Sequence, residues 1–217
     1  MIGIKINMKT TKKDIIAKEG YPFIASFAIG SFLFKNKFLK ATLLGASAFS
    51  VYFFRNPKKN IHYEKNMVLS PADGTIVDIS NAYERFFFKS EVNKISIFMS
   101  VFDVHINLAP FKGVCLDKIY NKGLFISANK PKASLENEQC ALLFENEDGK
   151  KIVVVQIAGI IARRIVTYTK PNDKVEAGDI IGLIRFGSRV DIYSENELNL
   201  AVHMNQKIKG GDLIGYL

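Results

Sequence analysis

A short internal repeat restricts the fold of this chain more than any other feature of its sequence. Lys174–Leu183 reads KVEAGDIIGL, and Lys207–Tyr216 reads KIKGGDLIGY, 33 residues further on. Each copy begins like a strand, passes through a Gly-Asp turn and ends in a short apolar segment that contains another glycine. Two strand–turn–strand units of this kind predict a β-rich domain.

The remaining sequence after Met67 has the same β-like character. Asp148–Gly149 lies between two apolar runs and predicts the tip of a hairpin. Runs rich in Ile and Val, bounded by turn residues, predict strands at Thr75–Ile79, Lys94–Ser100, Ile152–Ile157 and Ile165–Tyr168. With Ser70–Ile79, the repeated turns resemble those of lipoyl- and biotinyl-type hybrid barrels. We therefore expect a mainly β fold with a hybrid-barrel core, although such turns recur in unrelated enzymes.

The excess positive charge lies entirely in the first third of the chain. The formal net charge is +9, and residues 1–66 contain 12 Lys and Arg against 3 Asp and Glu. Residues 67–217 contain 18 of each kind. A nucleic-acid-binding domain would carry positive charge on its folded body, so we expect no nucleic-acid partner.

Two uncharged apolar runs, Gly20–Phe34 and Ala41–Phe54, lie in this basic third. As helices they would cover about 21–23 Å, which is short of the ~30 Å hydrocarbon core of a bilayer. Cations bracket both runs, as expected for helices at an anionic membrane surface. The sequence thus predicts an N-terminal apolar helical hairpin and linker in residues 1–66, followed by a β-rich domain in residues 67–217. Packing of the hairpin on its own core, or in a dimer, is the alternative.

The cysteines and histidines predict neither disulfides nor a metal site. Cys115 and Cys140 lie in apolar surroundings without a partner spacing, which fits a reducing compartment. His62, His105 and His203 are isolated from one another, so we expect no bound metal.

The run Phe102–Leu108 (FDVHINL) contains the first candidate for chemistry. In a strand, Asp103, His105 and Asn107 share one face, while apolar residues occupy the other. His105 therefore lies on a polar face near a strand end. It is either a functional histidine or one that is merely solvated or hydrogen-bonded.

The run Arg185–Ile192 (RFGSRVDI) contains the second candidate. Alternation places Phe186, Ser188, Val190 and Ile192 on one face, so Ser188 faces the apolar side. The Gly-Ser pair is either a bulge or close-packing site, or a strained peptide bond whose carbonyl the Ser188 hydroxyl can attack.

Five motifs in order resemble the short-form phosphatidylserine decarboxylase proenzymes. They are EGYPFI (Glu19–Ile24), YFFRNP (Tyr52–Pro57), SPADG (Ser70–Gly74), FDVHINLAP (Phe102–Pro110) and RFGSR (Arg185–Arg189). The resemblance implies self-cleavage between Gly187 and Ser188 into a β chain of residues 1–187 and an α chain of residues 188–217. It also implies that Ser188 becomes a covalent pyruvoyl group, the cofactor that condenses with the substrate amine before CO₂ leaves.

The resemblance also implies roles for two further residues. His105 is the candidate proton donor of decarboxylation, and Asp73 matches the acidic member of the Asp-His-Ser cleavage triad, which would orient the histidine. Longer family members carry a second histidine three positions after the first, where this chain has Leu108. Either His105 serves both reactions, or another group takes one of them.

The family implies that the substrate is phosphatidylserine and the product phosphatidylethanolamine. The expected location is the cytoplasmic face of the cell membrane, with the protein bound peripherally or monotopically to the anionic surface. Two alternatives stay open: the same chemistry on another serine-headgroup lipid, and a non-catalytic membrane-anchored hybrid-barrel module. Whether the two chains oligomerise further is also open.

Overall fold

The computed structural model describes residues 8–10, 14–123, 137–159, 164–185 and 187–217. Two compact units are present. One comprises Lys12–Lys58, and the other comprises Met1–Thr11 together with Lys59–Leu217. The functional boundary between residues 66 and 67 stays a prediction.

The smaller unit is a helical hairpin, which confirms the fold expected for the basic third of the chain. A 3-10 turn at Lys18–Gly20 leads into helix α1 (Tyr21–Leu33), and helix α2 (Lys37–Phe53) follows. The Asn36 side chain begins α2 by accepting hydrogen bonds from the backbone N–H groups of Phe38 and Leu39, at 2.9 and 3.2 Å. Among the described residues, neither helix is long and apolar enough to cross a membrane.

The larger unit consists of strands joined by turns, as the short apolar runs predict. Its strands in the described residues are β1 (Met8–Thr10), β2 (Asn60–His62), β3 (Met67–Leu69), β4 (Gly74–Glu84), β5 (Ser90–Met99), β6 (Ile106–Leu108), β7 (Gly113–Asn121), β8 (Gln139–Asn146), β9 (Lys151–Ala158), β10 (Ile165–Thr167), β11 (Lys174–Val175), β12 (Ile180–Ile184), β13 (Ser188–Ser194), β14 (Asn199–Leu200), β15 (Lys207–Ile208) and β16 (Leu213–Tyr216). The hairpin tip expected at Asp148–Gly149 joins β8 to β9.

Eight strands form one curled sheet, half of a barrel, in the order β11-β7-β8-β9-β13-β5-β4-β15. Two three-stranded sheets, β10-β12-β6 and β14-β16-β3, accompany it, and β1 pairs with β2. β13 is a central strand, antiparallel to β9 on one side and β5 on the other. These sheets confirm the mainly β fold.

Each repeat copy places its first strand at an edge of the eight-stranded sheet and its second strand in the middle of a three-stranded sheet. The first copy forms β11 and β12, and the second forms β15 and β16. In each turn the aspartate carboxylate accepts a backbone N–H, from Glu176 to Asp179 and from Lys209 to Asp212, both at 2.8 Å. The predicted strand–turn–strand units are therefore confirmed, and their aspartates hold the turns.

One buried side chain packs against both repeat turns, and it provides a test of the fold. Gly178 (φ +79°) and Gly149 (φ +74°) both adopt left-handed backbone conformations. An added Cβ at Gly178 would lie 2.6 Å from Ile61 Cγ1, whereas nothing lies within 4 Å at Gly149. Ile61 cannot retreat freely, because it also packs against Gly211.

We expect Gly149→Ala to lower the free energy of unfolding by about 1 kcal/mol, the cost of a left-handed alanine. Gly178→Ala should cost roughly a further 1–3 kcal/mol because of overpacking against Ile61. Urea unfolding, followed in a Ser188→Ala background so that each chain stays in one piece, measures both. Equal losses would contradict the packing described for Ile61.

The main core includes residues of the two neighbouring strands β5 and β13. It contains Ile95, Ile97 and Met99 of β5, together with Val190 and Ile192 of β13. Every residue of β13 is buried. The core therefore surrounds the strand that begins with Ser188.

Candidate active site

Ser188 is the first residue of β13 and is fully buried. Its Cα partners are Met99 in β5 and Ala158 in β9, and its hydroxyl lies 3.3 Å from the Met99 sulfur. The predicted orientation of Ser188 toward the apolar side is confirmed, because Val190 also faces the core. Phe186, predicted on the same face, lies outside the described residues.

Gly187 gives the backbone an unusual conformation directly before Ser188. Its φ is +66°, in the left-handed region that glycine adopts without the steric cost of a Cβ. The chain therefore turns sharply at the residue whose carbonyl precedes the serine. A glycine in this conformation is compatible with either alternative for the Gly-Ser pair, and β13 continues regularly after it.

His105 lies against this turn and is buried, with an exposed fraction of 2%. Its Nε2 is 3.2 Å from the backbone N–H of Gly187, and its Nδ1 is 3.0 Å from the Asp103 carbonyl oxygen. Because a carbonyl only accepts and an N–H only donates, Nδ1 carries the proton and Nε2 presents a lone pair. Its burial excludes a solvated histidine, and the alternatives that remain are a functional histidine and one that is merely hydrogen-bonded.

A tight turn and a neighbouring strand fix the position of His105. The Asp103 carboxylate accepts the N–H of Ser100 at 2.8 Å, and the Asp103 N–H donates to the Ser100 carbonyl at 2.9 Å. The His105 carbonyl in turn accepts the N–H of Ile184 at 3.2 Å. Residues on both sides of the histidine are thus held by backbone hydrogen bonds.

Asn107 belongs to a buried polar network that the sequence did not reveal. Its side-chain oxygen accepts from Gln156 at 2.8 Å, and its amide nitrogen lies 3.8 Å from the Met99 sulfur. Gln156 accepts in turn from the Thr167 hydroxyl at 3.0 Å. Met99 therefore contacts both Ser188 and Asn107. A polar residue within an apolar run is the only signal that this network leaves in the sequence.

Asp73 follows β3 in the turn Ser70–Gly74, and its carboxylate is bound by other partners than His105. Its Oδ1 accepts hydrogen bonds from the ammonium group of Lys59 and, at 2.7 Å, from the N–H of Gly210. The side chains of Lys59 and Asp73 are 12% and 15% exposed, so the ion pair is largely buried. The structure thus brings Ser188, Gly187 and His105 together. The carboxylate of Asp73 instead forms an ion pair with Lys59.

Other nucleophiles and histidines in the described residues do not compete with this arrangement. Burial raises the pKa of the Cys115 thiol to about 11 and also raises the pKa of Cys140, so neither is ionised at neutral pH. His62 and His203 are exposed and contact local groups: the Glu64 carboxylate at 3.4 Å and the Met204 carbonyl at 3.0 Å.

The sequence model of the phosphatidylserine decarboxylase family matches residues 46–216. The chain belongs to this family. The decarboxylase relatives confirm the resemblance carried by the five motifs. The proenzyme from Syntrophotalea carbinolica is 47% identical over 206 residues, covering 93% of this chain and 96% of its own length. The proenzymes from Citrifermentans bemidjiense and Rickettsia bellii are 45% and 44% identical, each covering 92% of this chain and 94% and 89% of their own lengths.

The departure of this decarboxylase from the longer family members now has a structural setting. This chain has Leu108 where the longer family members are expected to carry their second histidine. An added Cβ at Gly210 would lie 3.3 Å from Leu108 Cδ1, 3.2 Å from Asp73 Oδ1 and 3.0 Å from Lys59 Nζ. Position 108 thus flanks the same glycine as Asp73. Lys59, which sequence reasoning missed, provides the charged partner there.

Proposed function

We propose that this chain is the proenzyme of a phosphatidylserine decarboxylase that forms phosphatidylethanolamine and CO₂. The observation that carries the proposal is the contact between His105 Nε2 and Gly187, directly before the buried Ser188. The family membership and the names of the relatives support the substrate and the reaction.

Maturation begins at the Ser188 hydroxyl. Its present partner is a thioether sulfur, a weak acceptor, so little is lost when the hydroxyl turns toward the Gly187 carbonyl. Attack on that carbonyl, with His105 Nε2 as the nearby proton acceptor, moves the acyl group from nitrogen to oxygen and gives an ester. Elimination releases the Gly187 carboxylate and leaves a dehydroalanine at position 188. Hydrolysis then yields ammonia and an N-terminal pyruvoyl group.

The residues around position 188 fit such a group. Pairing of β13 with both β5 and β9 fixes the backbone of residue 188, and Met99 and Asn107 line its surroundings. A pyruvoyl group supplies a carbonyl that condenses with the substrate amine and takes up the electrons left by departing CO₂. His105 would then hold a proton on the nitrogen that faces this end of the strand and deliver it to the substrate carbon.

The cut chains are expected to stay together. The α chain, residues 188–217, contributes β13, β14, β15 and β16. β13 pairs with β5 and β9 of the β chain, and β15 and β16 pair with β4 and β3 of the β chain. Separating the chains would expose the apolar side of β13, including Val190 and Ile192.

The function is tested by assaying the purified protein on vesicles that contain phosphatidylserine. We expect phosphatidylethanolamine to form with release of CO₂. Denaturing mass spectrometry should find residues 1–187 and a 30-residue chain whose N-terminus is blocked and has lost the serine amine. A parallel assay on an ether-linked serine lipid decides between the two substrate alternatives. An uncut chain without activity under all conditions would refute the proposal.

Asp73 is proposed to act in cleavage, with Lys59 as its ionic partner. Asp73→Asn keeps an oxygen for the Gly210 N–H but loses the ion pair, so we expect cleavage to slow by at least about tenfold. Lys59→Met should slow it similarly. The matched control is Asp148→Asn, which removes the exposed ion pair with Lys65 and should cleave normally. The cleaved fraction against time, measured on denaturing gels, gives the result. Normal maturation of Asp73→Asn would remove Asp73 from the mechanism.

The helical hairpin is proposed to bind the cytoplasmic face of an anionic membrane. Its buried side chains combine small polar residues with Phe53 and Phe54: Ser31, Ser47 and Ser50 are also buried, and the Ser47 hydroxyl donates to the Ile24 carbonyl at 3.0 Å. Its exterior is apolar, with Phe32 77% and Phe38 82% exposed. Serines at the contact between two helices, together with large apolar side chains exposed on the outside, are typical of helices that face lipid. The flanking lysines would add attraction to anionic headgroups.

We therefore expect a combined Phe32→Ser, Leu33→Ser and Phe38→Ser variant to bind vesicles at least about tenfold more weakly, because it loses apolar area that would enter the bilayer. Flotation with vesicles containing anionic lipid measures binding. The matched control replaces three exposed apolar residues of the larger unit, Tyr83, Met204 and Tyr216, with serine. Equal binding by both variants would contradict the role of the hairpin.

A further inference from the structure

Three strands end together beside Gly187, and two of the ends carry arginine. In the sheet β10-β12-β6, Arg164 precedes β10, Arg185 follows β12 and His105 precedes β6. The Arg185 N–H donates to the Arg164 carbonyl at 3.3 Å, and the Ile184 N–H donates to the His105 carbonyl at 3.2 Å. The end of β12 therefore lies between Arg164 and the histidine of the active site.

The two arginines form a cross-strand pair of like charge. Ile165 is the partner of Ile184, so the next pair in the register is Arg164 with Arg185. Both isoleucines belong to the main core, so strand alternation places both arginine side chains on the opposite side of the ribbon. Like charges directly opposite each other in a sheet are destabilising. Since guanidinium groups stay charged at all ordinary pH values, an anion beside Arg164 would lower the repulsion within this pair.

Arg164 is available to such an anion. It is exposed, and its guanidinium makes no hydrogen bond or ion pair with any residue that the structure describes. Arg185 precedes Ser188 by only three residues, so at most about 10 Å of backbone separates them. An arginine side chain of this pair and the headgroup of a bound lipid could therefore together span the distance to residue 188.

The chemistry of the reaction selects which anion of the substrate belongs there. The carboxylate leaves as neutral CO₂, so a fixed cation on it would stabilise the ground state more than the transition state and slow the reaction. The phosphodiester keeps its charge throughout, and it lies four bonds from the reacting amine. The fork of an arginine also matches two phosphate oxygens.

We propose that Arg164 and Arg185 bind the phosphodiester of the substrate headgroup. The inference rests on the proposed function. Because the phosphodiester is bound equally in ground and transition states, loss of either arginine weakens substrate binding and leaves the chemical step unchanged.

The test compares two soluble substrates of the mature enzyme: a short-chain phosphatidylserine and O-hexadecylserine, in which an alkyl chain replaces the phosphodiester. For Arg164→Gln we expect KM for the phospholipid to rise about tenfold or more, with kcat within about twofold and no change on O-hexadecylserine. Arg164→Lys should restore part of the loss. Lys174→Gln, which removes an exposed cation of β11, is the charge-matched control.

Two outcomes would overturn the proposal: an unchanged KM for the phospholipid in the Arg164→Gln, Arg185→Gln and double variants, or an equal loss on both substrates. Mass spectrometry of each variant verifies maturation, so a folding defect is recognised separately. If the wild-type enzyme shows no turnover, calorimetry on the full-length Ser188→Ala chain replaces kinetics. Glycerophosphoserine must then bind more tightly than inorganic phosphate or serine, and adding Arg164→Gln must remove that preference. Absence of the preference also overturns the proposal.

Discussion

Replacing Ser188 with alanine should leave the protein as one uncut chain without decarboxylase activity. The hydroxyl is the only group at this position that can attack the Gly187 carbonyl, and alanine offers no atom for the ester. The substitution removes one oxygen whose neighbour is the Met99 sulfur, so the fold should be retained. Denaturing mass spectrometry should find a single species of full length, and vesicle assays should detect no phosphatidylethanolamine.

The matched control for this variant lies in the same strand. Ser194 is also buried in β13, and its hydroxyl donates to the Asn196 carbonyl at 2.9 Å. Ser194→Ala should lose about 1 kcal/mol of stability and still mature. Cleavage in the Ser188→Ala chain would place the nucleophile elsewhere. If Ser194→Ala also fails to mature, loss of cleavage in Ser188→Ala could be explained by a folding defect and would not identify Ser188 as the nucleophile.

The second large effect is expected at His105. His105→Ala removes both the acceptor for the Gly187 N–H and the proposed base for the Ser188 hydroxyl, so cleavage should slow by about 100-fold or more. His105→Gln separates the two roles, because its side-chain oxygen can still accept the N–H but cannot shuttle a proton. We expect both variants to be defective in cleavage. Their activity, divided by the cleaved fraction, should also fall.

The other two histidines provide controls for this prediction. His62→Ala and His203→Ala change exposed side chains with local contacts, and both should mature and turn over normally. If His105→Gln matures at the normal rate, the histidine only positions the Gly187 turn. If the cleaved fraction of either His105 variant shows full activity, the proton donor for decarboxylation is another group.

Local sequence predicted the elements that depend on local chemistry. Alternation and turn residues located β4, β5, β9 and the hairpin tip at Asp148–Gly149, and the repeat located the two edge turns. The same reasoning placed Ser188 on the apolar side of its strand. These features depend on residues close in sequence, which is why they can be read from the order of amino acids.

The partners of the polar site residues could not be predicted in this way. Asp73 binds Lys59 across a turn of the second repeat, and Asn107 binds Gln156, 49 positions away in the chain. His105 precedes a strand of only three residues, and its polar side is covered by other elements instead of solvent. Each contact depends on how distant strands meet. The sequence pattern therefore offered Asp73 and His105 as candidates and left their partners undetermined, Lys59 and Gln156 among the residues it did not single out.

The central position of β13 also has a consequence for the timing of maturation during synthesis. β5 and β9 leave the ribosome before β13, so the large sheet lacks its middle strand until residues 188–194 emerge. Until then Gly187 has no fixed place beside His105, and its peptide bond is an ordinary one. Cleavage must therefore follow closure of the sheet. Under the proposed mechanism, the cut chain would then be found only in molecules whose sheet has closed.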